Sequence, residues 1–409
     1  MKTPWELLKE SKTKIKTTWR IAFVSALVLG LLIHLPVMLS DIPNHDGLSS
    51  MYFDQNMITS GRWFLTVACG FSSYFTIPWV IGLIGLIWLA LTAAVLTEVL
   101  ELTDPVTITV VSGLLVSFPA LASTFAYVFT MDGYMLALFL AVLAVLFTAK
   151  YPRGYLAGAV CLAFSMGIYQ AYLPFTILLC VYKILLYFME EKGWKEKAKY
   201  VCHYLGMGIA GGELYYVILQ ILLKLQGRVL DTYQGINSME QMGSGMGILA
   251  TIKEMYVDFL AFTVHGNVLV NNIFSLAACI ILVATVVFLV IRSMIWRKWW
   301  KNPAFFVIMI LLGISMPLLT NVILLISPNL TYHLLMRYQW VLYLILMTAF
   351  ADRYTAEESR TDVVLQWAAL CAAVVLVFDY GISDNIGYSN LEKKYEKTYA
   401  YCVRLLDRI

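Results

Sequence analysis

Long apolar runs separated by short polar ones dominate the chain. A helix needs about 20 apolar residues to cross a bilayer. Eleven runs approach or reach that length: 21–39, 76–97, 106–124, 133–149, 154–169, 171–188, 200–223, 268–291, 304–326, 335–350 and 363–379. The pair 154–169 and 171–188 is the shortest. Basic residues flank it on both sides, so the chain crosses twice there or not at all, by helices each about 25 Å long at 1.5 Å per residue. The turn Tyr169-Gln170-Ala171-Tyr172 then falls at or below a membrane surface, where polar groups must face protein or water. The pattern predicts an all-α polytopic membrane protein of about eleven transmembrane helices, forming a single domain over residues 1–409.

The polar segments set the orientation. Lys2, Lys9, Lys12, Lys14, Lys16 and Arg20 precede the first span. Lys150, Arg153, Lys192, Lys195, Lys197, Lys199, Arg292, Arg297, Lys298, Lys301, Arg353 and Arg360 fall on the same side, which thus holds 18 of the 29 basic residues. Positive loops stay cytoplasmic, so the N-terminus is expected inside and, by parity, the C-terminus outside. The outward segments are then 40–75, 125–134, 226–267, 327–337 and the tail 380–409. Over 47–59, Leu48, Met51, Tyr52, Gln55 and Ile58 share one helical stripe, and Asp46, Ser50 and Asp54 another. This is the pattern of a juxtamembrane helix lying on the outer surface, with Gly61 where a C-cap would be. No internal repeat is evident, which disfavours a secondary transporter built from inverted halves.

Composition agrees. The chain is 60% hydrophobic and 13% charged, against about 25% charged in soluble domains, and its mean hydropathy is +0.76. A net charge of +3 gives no ground for a nucleic-acid partner. The seven cysteines show no metal-ligand spacing. Five lie in apolar runs and read as small core residues; only Cys69 and Cys402 face an oxidising exterior, and a disulfide between them is left open.

Ionisable residues in so apolar a chain need a reason. Asp46, in Pro43-Asn44-His45-Asp46-Gly47, suits an N-cap and also a general base at the rim of a cavity, and the two roles are compatible. Asp132, beside Gly133 at a short outer tip, is a turn residue or a second acid that accepts from sugar hydroxyls. Arg62 and Arg337 are among the few outward cations before the tail. A guanidinium fork suits a lipid phosphate, and headgroup snorkelling is the plainer alternative. Tyr169 and Gln170 suit sugar binding by stacking and hydrogen bonding, or simply close a helix end. His34 reads as a hydrogen-bonded packing residue. Nothing calls for a metal or an organic cofactor, although a divalent metal is not excluded.

Pro43-Asn44-His45-Asp46-Gly47 followed by Ser60-Gly61-Arg62-Trp63-Phe64 resembles the first outer loop of the bacterial Gtr-type II membrane glucosyltransferases. Met131-Asp132-Gly133-Tyr134-Met135 and Gly167-Ile168-Tyr169-Gln170-Ala171-Tyr172 resemble two further segments of that family, and the similarity runs the length of the chain. It implies a GT-C-like bundle in a bacterial cytoplasmic membrane. It further implies an inverting enzyme that moves a sugar, glucose in the family's usual case, from a polyprenyl-phosphate carrier (undecaprenyl phosphate-glucose) to a cell-surface polysaccharide or teichoic-acid-like acceptor. Asp46 is then the base, with His45 beside it where many relatives carry a second acid. A flippase for lipid-linked sugars or polysaccharides is the main rival. It needs polar residues along a route through the bilayer, whereas here they concentrate on one side. A phosphoglycerol or acyl transferase would need a nucleophile, for which His45 is the one evident candidate.

Overall fold

A computed structural model describes residues 2–6, 10, 14–40, 42, 56–70, 72, 77–190, 192–231, 248–299, 303–327, 330–355 and 359–408. The main helices are α1 (Thr17–Leu39), α2 (Pro78–Leu100), α3 (Pro105–Ser117), α4 (Pro119–Phe125), α5 (Met131–Lys150), α6 (Gly154–Ile168), α7 (Leu173–Met189) and α8 (Trp194–Gln226). They continue with α9 (Ile248–Leu260), α10 (Ile273–Trp296), α11 (Pro303–Thr320), α12 (Val322–Ile326), α13 (Val341–Tyr354) and α14 (Arg360–Leu406). Among the described residues nine helices are long and apolar enough to cross a membrane. α3 and α4 together add a broken span bent by 49°, and α6 is a shorter apolar helix. The protein is an all-α polytopic membrane protein, and each of the eleven apolar runs corresponds to one of these helices or helix pairs.

Proline opens several helices. Pro78, Pro105 and Pro119 stand in the first turn, where a backbone N–H would lack a partner in any case. Pro119 also causes the break in the third span, which the apolar pattern reads as continuous. Proline has no N–H to give to the carbonyl four residues back, here that of Leu115. The Tyr338 hydroxyl donates to that carbonyl instead, and His34 Nε2 approaches the Val116 carbonyl at 2.7 Å. His34 is thus the hydrogen-bonded packing residue its position implied. It lies flat against Phe125 at 4.2 Å between ring centroids.

The core runs along two connected rows. α5 packs between α2 and α6, and α6 also packs on α8; α1 packs on α2 and α3, while α14 packs on α10, α3 and α1. One end of the bundle carries an ion-pair belt. Lys16 and Lys150 each meet Glu98 at 2.7 Å, and Lys183 and Arg353 meet Glu101 at 2.6 and 2.8 Å. Arg292 pairs with Asp362 at the start of α14. Lys16, Lys150, Arg292 and Arg353 belong to the basic side inferred above, so the structure gathers these residues onto one face.

The last apolar run and the tail after it form one helix: α14 runs unbroken for 47 residues, about 70 Å at 1.5 Å per residue, and so projects well past a core about 30 Å thick. Of the pairing left open above, Cys69 and Cys402 are both free thiols, the first buried and the second exposed.

Candidate functional site

The face opposite the ion-pair belt holds Arg62, Asp132, Tyr169, Gln170 and Arg337 from among the residues singled out by sequence. Residues 56–70 fold back onto the ends of α5 and α6. Ser60-Gly61 forms a tight turn in which the Gly61 N–H donates to the Ile58 carbonyl at 2.9 Å and the Arg62 N–H to Met57 at 3.0 Å. Gly61 has φ +75°, which glycine adopts without penalty. A Cβ there would also lie 2.6 Å from both Gln170 Nε2 and the Tyr215 hydroxyl. Those two groups hold the turn. Gln170 Nε2 donates to the Ser60 carbonyl at 3.3 Å and to the Tyr215 oxygen at 3.0 Å, and the Tyr215 hydroxyl donates to the Gly61 carbonyl at 3.0 Å.

The next residues seat on two glycines. The Phe64 N–H donates to the Gly167 carbonyl at 2.7 Å, and the Trp63 ring occupies the space a Gly167 side chain would need, 2.6 Å from its ideal Cβ. Cys69 Sγ sits 2.5 Å from where a Gly133 Cβ would be. Beside it, Asp132 is only 2% exposed. Its Oδ1 accepts from Ser72 Oγ at 2.8 Å and from the Gly133 N–H at 2.9 Å. Asp132 therefore ties Ser72 to the N-terminus of α5, where a negative group is also favoured by the helix dipole.

Arg62 is positioned by this scaffold. Its guanidinium lies over the Tyr169 ring, 5.0 Å from the centroid, and Nη1 donates to the Tyr134 hydroxyl at 3.3 Å. Tyr134 and Tyr169 stack at 4.2 Å, Tyr172 meets Tyr169 edge-on at 5.5 Å, and Tyr338 meets Tyr172 at 6.4 Å. A row of tyrosine rings thus leads inward from the arginine. The pocket beside Arg62 is lined by Tyr169, Gln170, Tyr215, Met166 and Ile323. A fixed cation next to aromatic faces and amide and hydroxyl groups suits a ligand with an anionic head and a hydroxylated ring.

Arg337 is placed differently from expectation. Both terminal nitrogens donate to Asp258, each at 2.7 Å. The rings of Tyr332 and Phe262 flank it at 3.9 and 4.6 Å, and it is 8% exposed. Such a bidentate pair occupies the fork that a lipid phosphate would require.

A family model described as Glucosyl transferase GtrII matches residues 35–351, the greater part of the chain. The protein belongs to the GtrII glucosyl transferase family. No curated protein and no solved structure matches it.

In this GtrII protein the segments 60–64, 131–135 and 167–172, far apart in sequence, are brought into one site, with Arg62, Tyr169 and Gln170 in direct or one-step contact and Asp132 beneath them. His45 and Asp46, and the surface helix inferred over 47–59 apart from its last residues, lie outside the described residues; Ile58–Ser60 is a 3-10 turn capped by Gly61. Tyr134, Tyr172, Tyr215 and Asp258 were not among the candidates. Tyr134 and Tyr172 lie in the segments that carry the family resemblance, which is the signal that marks them; Tyr215, within an apolar run, looks like a packing residue and has no such signal. Asp258 did carry a signal. It is an acid in the amphipathic stretch 248–262, now α9 and the turn after it, and such a residue needs a partner or water.

Proposed function

We propose that this GtrII protein transfers glucose from a polyprenyl-phosphate carrier to a glycan at the outer face of a bacterial cytoplasmic membrane, with inversion at the anomeric carbon. The observation that carries this reading is the Arg62 fork held against Tyr169 and Tyr134 at the end of α6. That helix has 15 residues, about 22 Å at 1.5 Å per residue, so the site lies inside a hydrocarbon layer about 30 Å thick. A carrier whose isoprenoid tail lies in lipid presents its phosphate near that depth.

In the proposed step Asp46 removes the proton of an acceptor hydroxyl as its oxygen attacks the anomeric carbon. The bond from that carbon to the phosphate oxygen breaks, and the phosphate leaves with the electron pair. Arg62 meets the charge that develops there, favouring the transition state over the ground state. Tyr134 and Tyr169, stacked on each other, hold Arg62 in place, and Gln170 offers the sugar a hydrogen bond. Asp132 is a positioning residue that fixes residues 56–72, and Arg337 holds α9 to the start of α13. The donor brings its own leaving group, so the step calls for no cofactor.

Asp46→Asn tests the base, because it removes the charge and keeps an oxygen able to cap a helix. Transfer of glucose to the surface glycan in cells should fall by about 10²-fold or more at unchanged expression, while His45→Ala retains activity. Retention of more than about a tenth of wild-type transfer by Asp46→Asn would fall short of what a general base supplies and would reassign the role.

A further inference from the structure

A cavity of about 820 Å³ adjoins the ion-pair belt, between the last turns of α7, α10 and α13 and the first turn of α14. That volume is in the range of small-molecule sites. One wall carries three guanidinium groups, those of Arg292, Arg297 and Arg353. Arg292 pairs with Asp362 and donates to the Tyr354 carbonyl at 2.7 Å. Arg353 meets Glu101 at 2.8 Å. Arg297 is exposed and donates to the neutral carbonyl of Met189. A guanidinium offers five N–H donors in a fixed fork, and these bonds use one or two of each. The side chains of Arg292 and Arg353 remain 36% and 34% exposed. Two carboxylates also line the cavity, Glu190 and Asp362, and both are engaged: Glu190 meets Lys192 at 2.7 Å, and Asp362 meets Arg292. The wall therefore keeps an excess of cation with unused donors.

The other wall is apolar. Phe288, Ile291 and Ile295 line it and are all exposed. Their spacings of three and four residues put them on one face of α10. Ile281, exposed two turns further into the span, continues that face. On a spanning helix such a face lies against acyl chains. Trp296, also exposed, stands at the rim, and tryptophan favours the level of the headgroups. The cavity thus joins a lipid-facing stripe to a cluster of guanidinium groups at the depth where lipid phosphates sit. A free anion would leave the apolar wall uncovered, and an uncharged lipid would leave the cations without a partner.

We propose that this cavity binds one anionic phospholipid from the leaflet on the basic side. Its phosphate lies among Arg292, Arg297 and Arg353, and its acyl chains run along the Phe288–Ile295 face of α10. Charge complementarity selects the occupant: guanidinium forks match phosphate oxygens, and basic pockets between spanning helices hold acidic headgroups. The lipid bridges α10, α13 and the start of α14. Because it binds the folded protein alone, it stabilises the fold. The site is at the end of the bundle away from Arg62, so the inference stands apart from the transferase reading.

The test uses the full chain in detergent micelles and follows its melting temperature. The probes are dioleoylphosphatidylglycerol, dioleoylphosphatidylcholine, inorganic phosphate and undecaprenyl phosphate. Phosphatidylglycerol should raise the wild-type melting temperature by several degrees, and phosphatidylcholine and inorganic phosphate should not. Arg297→Gln removes a cation whose bond to the protein is to a backbone carbonyl, and should lose more than half of that shift. Lys195→Gln, at an exposed basic position outside the cavity, should keep it. Native mass spectrometry of the wild type gives a reading that needs no variant: one phosphatidylglycerol should stay bound under conditions that strip phosphatidylcholine. Equal shifts from the two phospholipids, or equal losses in the two variants, would reduce the effect to general surface charge and overturn the inference. Loss of phosphatidylglycerol as easily as phosphatidylcholine in the spectrometer would overturn it too. An equal shift from inorganic phosphate, or a larger one from undecaprenyl phosphate, would give the cavity to another ligand and also overturn it.

Discussion

At the scale of single residues, the two arginines expected to serve the phosphate stand in different surroundings. Arg62 lies over an aromatic face and donates a hydrogen bond to a hydroxyl at 3.3 Å. Arg337 faces a carboxylate through two hydrogen bonds of 2.7 Å. Removing one partner of an enclosed ion pair leaves the other uncompensated and costs about 3–5 kcal/mol. Arg337→Ala and Asp258→Ala should therefore each reduce expression and thermal stability, and the double variant should be more stable than either single one. The check is a thermal-denaturation series on the three purified variants. A stable Arg337→Ala protein with weakened donor binding would instead return the phosphate role to Arg337.

Among the elements, the site is a matter of how residues 56–70 seat on α5 and α6. Gly133 and Gly167 are the contact points, because each gives up its side-chain volume to a residue of that segment. The obstacle at Gly133 is the Cys69 sulfur alone, with other atoms no nearer than 3.4 Å. Gly133→Ala should thus displace the outer segment and lower transfer by an order of magnitude or more, and adding Cys69→Ala should restore much of it by vacating the sulfur's place. Surface-glycan glucose in cells carrying each variant gives the readout. A Gly133→Ala enzyme of normal activity, or a double variant no better than the single, would show that this packing does not govern the site.

For the whole molecule, the apolar pattern located the long apolar helices among the described residues but not their shapes. It read 106–124 as continuous because the consequence of Pro119 depends on Tyr338 and His34, which lie far away in sequence and supply the missing hydrogen bonds. It ended the last span at 379 because the residues after it turn polar, whereas α14 continues into that polar stretch as one rod. Arg62, Tyr169 and Gln170 were legible as polar or aromatic groups where a membrane chain rarely tolerates them. The partner of Arg337 was not, since pairing across 79 positions leaves no local trace. The orientation expected from the basic loops has its own prediction: a cysteine introduced at position 390 should react with a membrane-impermeant thiol reagent in intact cells and one at 195 should not, and labelling at 195 would invert the account. The central claim is that Arg62 serves the phosphate of a polyprenyl-linked glucose. The most direct measurement is turnover and affinity for glucosyl phosphoryl undecaprenol by purified wild-type, Arg62→Lys and Arg62→Ala proteins in nanodiscs. The account predicts slow glucose release by the wild type. It predicts much reduced turnover for Lys, which keeps the charge but loses the fork, and for Ala an added loss of affinity worth about 1.5–3 kcal/mol, as for a charged hydrogen bond. Wild-type turnover and affinity in Arg62→Ala would contradict it.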